Sequence, residues 1–176
     1  MSLVQDGNRD AFDMLMTRYS NNIYNFILRF TYDTDMAIDL TQETFFKIWK
    51  KSKSFKTELR FKPWIYQIAR TTAIDQLRKK KTYPFSSFEK DDGDGETFDI
   101  ADESELPDEL FEKKENAQKV TGAIQALNDT EKLIIQMHYI EEMTFEDIAQ
   151  SLDKPMNSVK STFRRSLHKL KKILNN

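Results

Sequence analysis

Positively charged side chains with few acidic neighbours are concentrated in two parts of the sequence. Between residues 60 and 81, Asp75 is the single acid among seven bases: Arg60, Lys62, Arg70, Arg78, Lys79, Lys80 and Lys81. From Met156 to Asn176 there is no acid and there are six bases: Lys160, Arg164, Arg165, Lys169, Lys171 and Lys172. Both segments therefore predict contact with the phosphates of a nucleic acid. For the last turns the alternative is structural, because lysines near a helix C-terminus suit the helix dipole.

Aromatic side chains stand beside the first basic segment, where Phe55, Phe61, Trp64 and Tyr66 surround a polar loop. Bases stacked in a duplex hide their faces, whereas an unpaired base can stack on a ring for about 1–3 kcal/mol. The combination indicates extruded or single-stranded bases, with Phe55, Lys56 and Arg60 bordering the loop. For Phe61 and Trp64, at the start of a helix, core packing is the other interpretation.

Apolar spacing on the N-terminal side predicts three helices. The first has this stripe: Phe12, Leu15, Tyr19, Ile23, Phe26, Ile27 and Phe30. After a break at residues 32–35, the second has an inward stripe of Ile38, Thr41, Phe45, Ile48 and Trp49. Another face of that helix carries Asp39, Gln42, Glu43 and Phe46 at i, i+3, i+4 and i+7. The third begins near Phe61, tolerates Pro63 in its first turn, and reaches Lys81.

The C-terminal sequence predicts four helices that include a helix-turn-helix. Val120, Ile124 and Leu127 close one helix, and Asn128 with Glu131 marks the capped start of an apolar one. Thr144, placed to cap the amide of Asp147, starts a short helix that runs into "DKPMN" and then a longer basic helix with the stripe Val159, Phe163, Leu167 and Leu170. The N-terminal half of such a helix meets base edges, and here it carries Lys160, Ser161, Arg164 and Arg165.

Acidic side chains separate the two groups of helices. From Thr82 to Glu112 twelve acids and one lysine give a net charge of −11, and since the whole chain carries −2 the remainder carries +9. A stretch of this charge with no regular period is expected to remain solvated and mobile. We therefore predict an all-α chain of two small domains: an N-terminal bundle of about three helices (residues 1–82) and a C-terminal four-helix domain with the helix-turn-helix (113–176), joined by an acidic flexible linker (83–112).

Composition argues against several other classes of protein. There is no cysteine, which excludes disulfides and thiolate metal sites. No apolar run approaches the roughly 20 residues that cross a bilayer, and residues 1–12 lack the basic start and apolar stretch of a signal peptide. We expect no direct membrane insertion and a cytoplasmic location.

Residues able to perform catalysis or bind a metal form no pattern. His138 lies in an apolar helix and His168 on a basic one, without an acid, hydroxyl or second histidine at ligand spacing. The acids Asp13, Asp33, Asp35 and Asp39 do not share a helix face. We predict no catalytic residue, no metal site, no cofactor and no small-molecule substrate.

Three motifs occur in an order that resembles a known family. "DLTQETFFKIW" (39–49), "FKPWIYQIARTTAIDQLRKKK" (61–81) and "MTFEDIAQSLDKPMNSVKSTFRRSLHKL" (143–170) look like the two conserved regions of a bacterial sigma-70-family sigma factor of the extracytoplasmic-function (ECF) group. The likeness covers nearly all of the chain except the linker. It implies transcription initiation without catalysis, with core RNA polymerase, promoter DNA and an anti-sigma factor as partners.

The resemblance also implies a role for each surface. Docking on polymerase falls to Asp39, Gln42, Glu43 and Phe46. Recognition and melting of the minus-ten promoter element fall to Phe55, Lys56, Arg60, Arg70, Thr71, Arg78, Lys79 and Lys80. Reading of the minus-thirty-five element falls to Asn157, Lys160, Ser161, Arg164, Arg165 and Lys169. The acidic linker would run towards the polymerase active centre and the RNA exit path.

Two departures from the family pattern concern the C-terminal domain. Asp129 stands where the family often has proline, and Asn157 stands where it often has a small residue, although asparagine tolerates turns. The alternative function is a stand-alone helix-turn-helix regulator whose N-terminal helices form a sensing or dimerisation domain. That alternative predicts sequence-specific DNA binding without polymerase.

Overall fold

The regular structure of the protein is helical. The computed structural model describes residues 1–79 and 122–175, apart from the side chain of Phe30, and within these ranges it contains helices and no strand. The all-α prediction is therefore confirmed. The predicted linker at 83–112, Lys80, Lys81 and the first residues of the predicted C-terminal domain lie outside the described residues.

Four α-helices and one short 3-10 turn form the N-terminal part: α1 (Ser2–Gln5), α2 (Arg9–Thr31), α3 (Thr34–Lys51), the turn (Ser52–Ser54) and α4 (Phe61–Lys79). Side-chain caps fix two of the starts, because Asn8 accepts a hydrogen bond from the Ala11 amide and Asp33 accepts one from the Met36 amide, each at 2.9 Å. Between α2 and α3, Tyr32 adopts a left-handed backbone conformation with φ 52°. The predicted stripes thus belong to α2, α3 and α4.

The C-terminal part begins with helical residues 122–125 and continues with α5 (Asp129–Tyr139), α6 (Phe145–Leu152) and α7 (Met156–Leu174). Both predicted caps occur as reciprocal capping boxes: Asn128 with Glu131 starts α5, and Thr144 with Asp147 starts α6. Asp153 ends α6 with φ 54°, and Pro155 precedes the first residue of α7. The helix-turn-helix is therefore α6, a turn at 153–155, and α7.

The N-terminal helices pack around fully buried aliphatic and aromatic side chains. Ile23, Ile27 and Ile65 have no exposed surface, and the rings of Phe26 and Tyr66 meet edge to face with centroids 4.9 Å apart. Large rings of this kind dominate the burial of a small core. Helices α2, α3 and α4 thus form the predicted three-helix bundle, with the four-residue α1 beside it.

The two helical units are packed against each other through α4 and α6. Their buried apolar residues form one continuous cluster that reaches from Ile23 in α2 to Leu170 in α7. A polar contact crosses the boundary as well, because the Ser151 hydroxyl donates to the Pro63 carbonyl at 3.0 Å. Small domains bury a low fraction of their surface, so packing α6 on α4 completes two thin cores at once. Helical periodicity did not predict this contact.

Candidate protein and nucleic-acid interfaces

One face of α3 is exposed and carries the four residues predicted to dock on polymerase: Asp39, Gln42, Glu43 and Phe46. The Phe46 ring is 55% exposed, and the Lys50 ammonium lies 4.3 Å from its centroid. Glu43 pairs with Lys47 at 2.8 Å across one turn of the helix. A surface that exposes a phenylalanine among acids and amides suits a protein partner better than solvent alone.

Ile38 belongs to the same exposed face, which differs from the sequence-based assignment to the inward stripe. It is 44% exposed and lies four residues before Gln42, on the same side of α3. Ala37, Leu40, Thr41, Thr44, Phe45 and Ile48 form the buried side of the helix instead. The spacing of apolar residues was ambiguous here because α3 carries apolar side chains on both its buried face and its exposed face, where Ile38 and Phe46 lie.

The rings around the 55–60 loop are packed against one another. Phe55 is only 6% exposed, and its centroid lies 5.9 Å from that of Phe61 and 4.8 Å from that of Trp64. Phe61 is in turn 5.4 Å from Tyr19 of α2. In this conformation Phe61 and Trp64 cover the Phe55 ring, so the base contact predicted for Phe55 stays a prediction that requires the ring to leave this packing. The core interpretation also describes Phe61 and Trp64.

Gln5 fixes the start of this loop, a role that no sequence pattern predicted. Its side-chain amide donates to the carbonyls of Ser52 at 3.0 Å and Phe55 at 2.7 Å, which are about fifty residues away in the chain. Two hydrogen bonds from one amide hold the backbone that presents Lys56, which is exposed. The short N-terminal helix α1 thus has a positioning role for a basic loop.

Basic residues predicted for the minus-ten element differ in their surroundings. Arg60 keeps two thirds of its side chain exposed, yet its guanidinium lies 2.7 Å from the buried carboxylate of Asp147. Arg70 is half-buried, and burial lowers the pKa of its guanidinium while the negative charge of Asp153 opposes that effect. The Thr71 hydroxyl donates within α4, to the carbonyls of Gln67 and Ile68.

At the end of α4, Arg78 and Lys79 occupy exposed positions in the last turn, where positive charge suits the helix dipole. Lys80 lies beyond the described range. The basic surface therefore extends from the loop at Lys56 along α4 to its C-terminal turn. Arg70 in its middle is half-buried and feels the negative charge of Asp153.

Helix α7, the second helix of the helix-turn-helix, has one buried and one exposed side. Val159, Phe163, Leu167 and Leu170 form the predicted inward stripe and are buried. Four of the predicted residues are exposed and recur at i, i+4, i+7 and i+8: Asn157, Ser161, Arg164 and Arg165. Lys160 is half-buried, and its ammonium lies 6.0 Å from the Phe145 centroid. These five predicted residues therefore lie in the N-terminal half of α7.

Lys169 stands apart from that group. Its ammonium lies 2.5 Å from the carboxylate of Glu131, which also closes the capping box of α5. The ion pair joins the C-terminal half of α7 to the start of α5. A structural contact therefore accompanies the predicted phosphate contact at this lysine.

His138 is held in an aromatic cluster rather than in a ligand site. Its ring is stacked on Phe145 with centroids 4.8 Å apart and meets the edge of Phe163 at the same distance, while Nδ1 lies 3.1 Å from the Met143 carbonyl. Across residues 1–79 and 122–175, no three histidines or carboxylates converge as a metal site would require. The helices in these ranges also include none that is long and apolar enough to span a bilayer.

Comparison with known proteins agrees with the two helical units. The chain matches the family models for Sigma-70 region 2 over residues 15–83 and Sigma-70, region 4 over residues 123–172. RNA polymerase sigma-H factor of Pseudomonas aeruginosa is 30% identical over 177 residues, covering 97% of this chain and 90% of that protein. ECF RNA polymerase sigma factor SigW of Bacillus subtilis is 29% identical over 173 residues, covering 97% and 92%.

Two solved structures share the fold over almost the whole chain. The sigma factor RpoE in complex with the anti-sigma factor NepR from Bartonella quintana has a TM-score of 0.66 at 22% identity, covering 94% of this chain and 97% of its own. CnrH in complex with the cytosolic domain of CnrY has a TM-score of 0.69 at 19% identity, covering 99% and 94%. With both regions matched in order and a relative similar along nearly its full length, the chain belongs to the sigma-70 family of RNA polymerase sigma factors, in its ECF group.

Proposed function

We propose that this protein binds core RNA polymerase and directs it to specific promoters, acting in the cytoplasm as a non-catalytic initiation factor. The observation that carries the proposal is the placement of three different surfaces on the two matched regions. Region 2 presents the mixed acidic and apolar face of α3 and the basic surface of α4, and region 4 presents the exposed basic side of α7. Each surface suits a different partner.

The exposed face of α3 docks on the polymerase. Asp39 and Glu43 supply negative charge, and Phe46 with Ile38 supplies apolar area that gains by leaving water. Charge steers the encounter, while the ring fills an apolar site at the centre of the contact. This division accounts for an exposed phenylalanine next to acidic residues.

The loop before α4 and the exposed side of α4 contact the minus-ten element. Lys56, Arg60 and Arg70 bind phosphates of the strand, with Arg78, Lys79 and Lys80 extending that contact and Thr71 lying alongside. The packed rings of Phe55, Phe61 and Trp64 support the loop as a rigid base. Base stacking on this region would require one of these rings to leave its packed position.

Helix α7 reads the minus-thirty-five element in the major groove of duplex DNA. Arg164 and Arg165 lie on its exposed side with Asn157 and Ser161, and helices of this type place such residues against base edges. Lys160 and Lys169 sit at the margins of that side and neutralise phosphates. A bidentate arginine contact discriminates between bases by about 1–3 kcal/mol.

The regulatory partner in this proposal is an anti-sigma factor. Such a partner would hold the protein away from polymerase until a signal releases it. A purified anti-sigma factor would compete with core polymerase for this chain and lower transcription in proportion to its concentration.

Transcription with purified core polymerase tests the proposed function. The chain is mixed with core polymerase and fragmented genomic DNA from its source, and run-off transcripts are mapped. Transcripts that start at a shared upstream sequence support the proposal. Sequence-specific binding of the chain to DNA, with no transcript and no polymerase association, would support the stand-alone regulator instead.

A second experiment separates the two DNA surfaces. Lys56→Ala with Arg60→Ala is expected to leave upstream binding intact and to slow promoter melting, so a premelted template restores activity. Arg164→Ala removes a contact to duplex DNA and is expected to recover far less on the same template. Equal recovery of both variants would remove the assignment of the two surfaces.

A further inference from the structure

The side-chain amide of Gln5 bridges two backbone carbonyls at the end of the 3-10 turn that follows α3. Its Nε2 donates to the Ser52 carbonyl at 3.0 Å and to the Phe55 carbonyl at 2.7 Å. The Ser52 carbonyl also accepts from the Phe55 amide at 3.1 Å, which closes the turn itself. One side chain therefore fixes the backbone on both sides of the exposed Lys53 and sets the direction in which the chain enters the next loop.

The loop of residues 55–60 has a fixed frame and an exposed surface. The Phe55 ring packs against Phe61 and Trp64, and the Leu59 amide donates to the Lys56 carbonyl at 2.9 Å, so residues 56–59 form a hydrogen-bonded turn. The side chains of Lys56 and Leu59 are exposed on that turn. A loop that already holds one conformation loses little conformational entropy when a partner binds it.

Helix α1 is built to deliver this amide. Of its four residues, Ser2 and Leu3 are exposed, Val4 is buried as the apolar anchor, and Gln5 is half-buried against the turn. The chain then reverses into α2 through Gly7, whose φ of 84° suits glycine and strains other residues. The contribution of α1 to the fold thus consists of one buried aliphatic side chain and one bridging amide.

We infer that Gln5 is a positioning residue for promoter melting, which holds the loop carrying Lys56 and Arg60 in the conformation that binds the separated strand. The inference rests on the proposed function, because that function assigns Lys56 and Arg60 to the minus-ten element. Unpairing a base is costly, and a preorganised loop offsets more of that cost than a mobile one.

The hydrogen bonds of Gln5 are confined to the turn before the loop. Their loss would leave the charges of Lys56 and Arg60 in place and would spread the loop over several conformations. The α3 face and the exposed side of α7 would keep their geometry. Strand separation should therefore suffer, while polymerase docking and binding to duplex DNA should not.

Gln5→Met in the full-length protein tests the inference, since methionine has a similar length and no hydrogen to donate. The matched control is Ser2→Met, which places the same side chain at an exposed position of the same helix. Each protein is combined with core polymerase on a promoter mapped with the wild-type chain. Permanganate reactivity of unpaired thymines reports the rate of opening, and binding to the closed duplex at low temperature reports recruitment.

Loss of two hydrogen bonds is expected to slow opening by roughly tenfold relative to Ser2→Met, and a premelted template should remove most of that difference. Polymerase affinity and closed-duplex binding should stay within about twofold of the control. When Lys56→Ala and Arg60→Ala are already present, Gln5→Met should add less than about twofold, because it acts through the same loop. An opening rate equal to that of Ser2→Met would overturn the inference, and so would a full additional loss in the Lys56→Ala/Arg60→Ala protein.

A rescue variant separates positioning from a general loss of stability. Gln5→Lys keeps hydrogens for both carbonyls and should restore most of the opening rate, with Ser2→Lys as the control for the added charge. A defect of the same size in Gln5→Lys and Gln5→Met, each measured below its melting temperature and against its own control, would also overturn the inference.

The proposed function is scored separately with the wild-type chain. Absence of promoter-specific transcription by that chain would defeat the proposed function before any variant is compared. Normal transcription by the wild-type chain together with unimpaired opening by Gln5→Met would defeat this inference alone.

Discussion

Replacing Phe46 by alanine gives the sharpest test of the docking surface, because the ring is exposed in the free protein. A fully enclosed phenylalanine buries about 150–250 Å², and the 55% that is exposed here leaves roughly 110 Å² available to a partner. At about 25 cal/mol per Å², enclosure of that area is worth ~2.7 kcal/mol, or roughly 100-fold in Kd. We expect Phe46→Ala to weaken binding to core polymerase by about tenfold to 100-fold.

This substitution should change the free energy of unfolding only slightly. Phe46 loses its contact with the Lys50 ammonium, and an exposed cation–π pair is worth about 0.5–1 kcal/mol. Met14→Ala is the matched control, since Met14 is an apolar residue of the same helical bundle, 75% exposed and on α2 rather than on the α3 face. Competition against a labelled wild-type chain measures polymerase affinity, and thermal melting measures stability.

A role for Phe46 in docking is refuted if Phe46→Ala binds core polymerase as tightly as Met14→Ala does. Loss of cooperative melting in the variant would also refute it, because the ring would then be structural. A large loss of affinity with unchanged melting assigns Phe46 to the contact itself.

Further predictions concern charge. Asp39→Arg with Glu43→Arg should abolish polymerase association with little loss of helical signal, since both positions are exposed; loss of cooperative melting would mark the face as structural. Burial, and then the hydrogen bond to Glu141, raises the pKa of the Tyr66 hydroxyl, so above about pH 10 the unfolded chain releases this proton while the folded chain keeps it, and stability falls by about 1.4 kcal/mol per pH unit. Urea unfolding of Tyr66→Phe should lack that decline, and parallel curves for both proteins would refute it. Deleting residues 86–106 from the acidic segment should raise non-specific DNA affinity and steepen its salt dependence, and an unchanged salt slope would exclude masking by this segment.

Local signals in the sequence predicted the helices and their starts. The stripe from Phe12 to Phe30 lies within α2, and the pairs Asn128–Glu131 and Thr144–Asp147 form the capping boxes of α5 and α6. Caps and stripes depend on residues within four positions of each other, so a sequence contains all the information they need. The same holds for the helix-turn-helix, whose inward stripe on α7 is buried as predicted.

Contacts between distant segments were not predictable in this way. The sequence places Phe55 shortly before a predicted helix, but it does not reveal that the rings of Phe61 and Trp64 pack against it. Glu141 is separated from Tyr66 by 75 residues and from Arg29 by 112, and nothing in its own neighbourhood marks it as buried. Burial at such positions depends on how one region packs on the other, and a local sequence pattern contains no information about that packing.

The boundary between the two helical units combines apolar contact with buried charge. An interface made only of apolar side chains would expose its area to water when the regions separate, with nothing to offset that loss. Here buried charges lie at the boundary: Glu141 against Tyr66 and Arg29, Asp147 against Arg60, and Arg70 with a buried Nε. Burying a charge carries a desolvation cost that its partner repays only in part, so separation returns hydration energy to each of these groups. The free energy that holds the two helical units together is therefore smaller than the continuous apolar cluster alone would give.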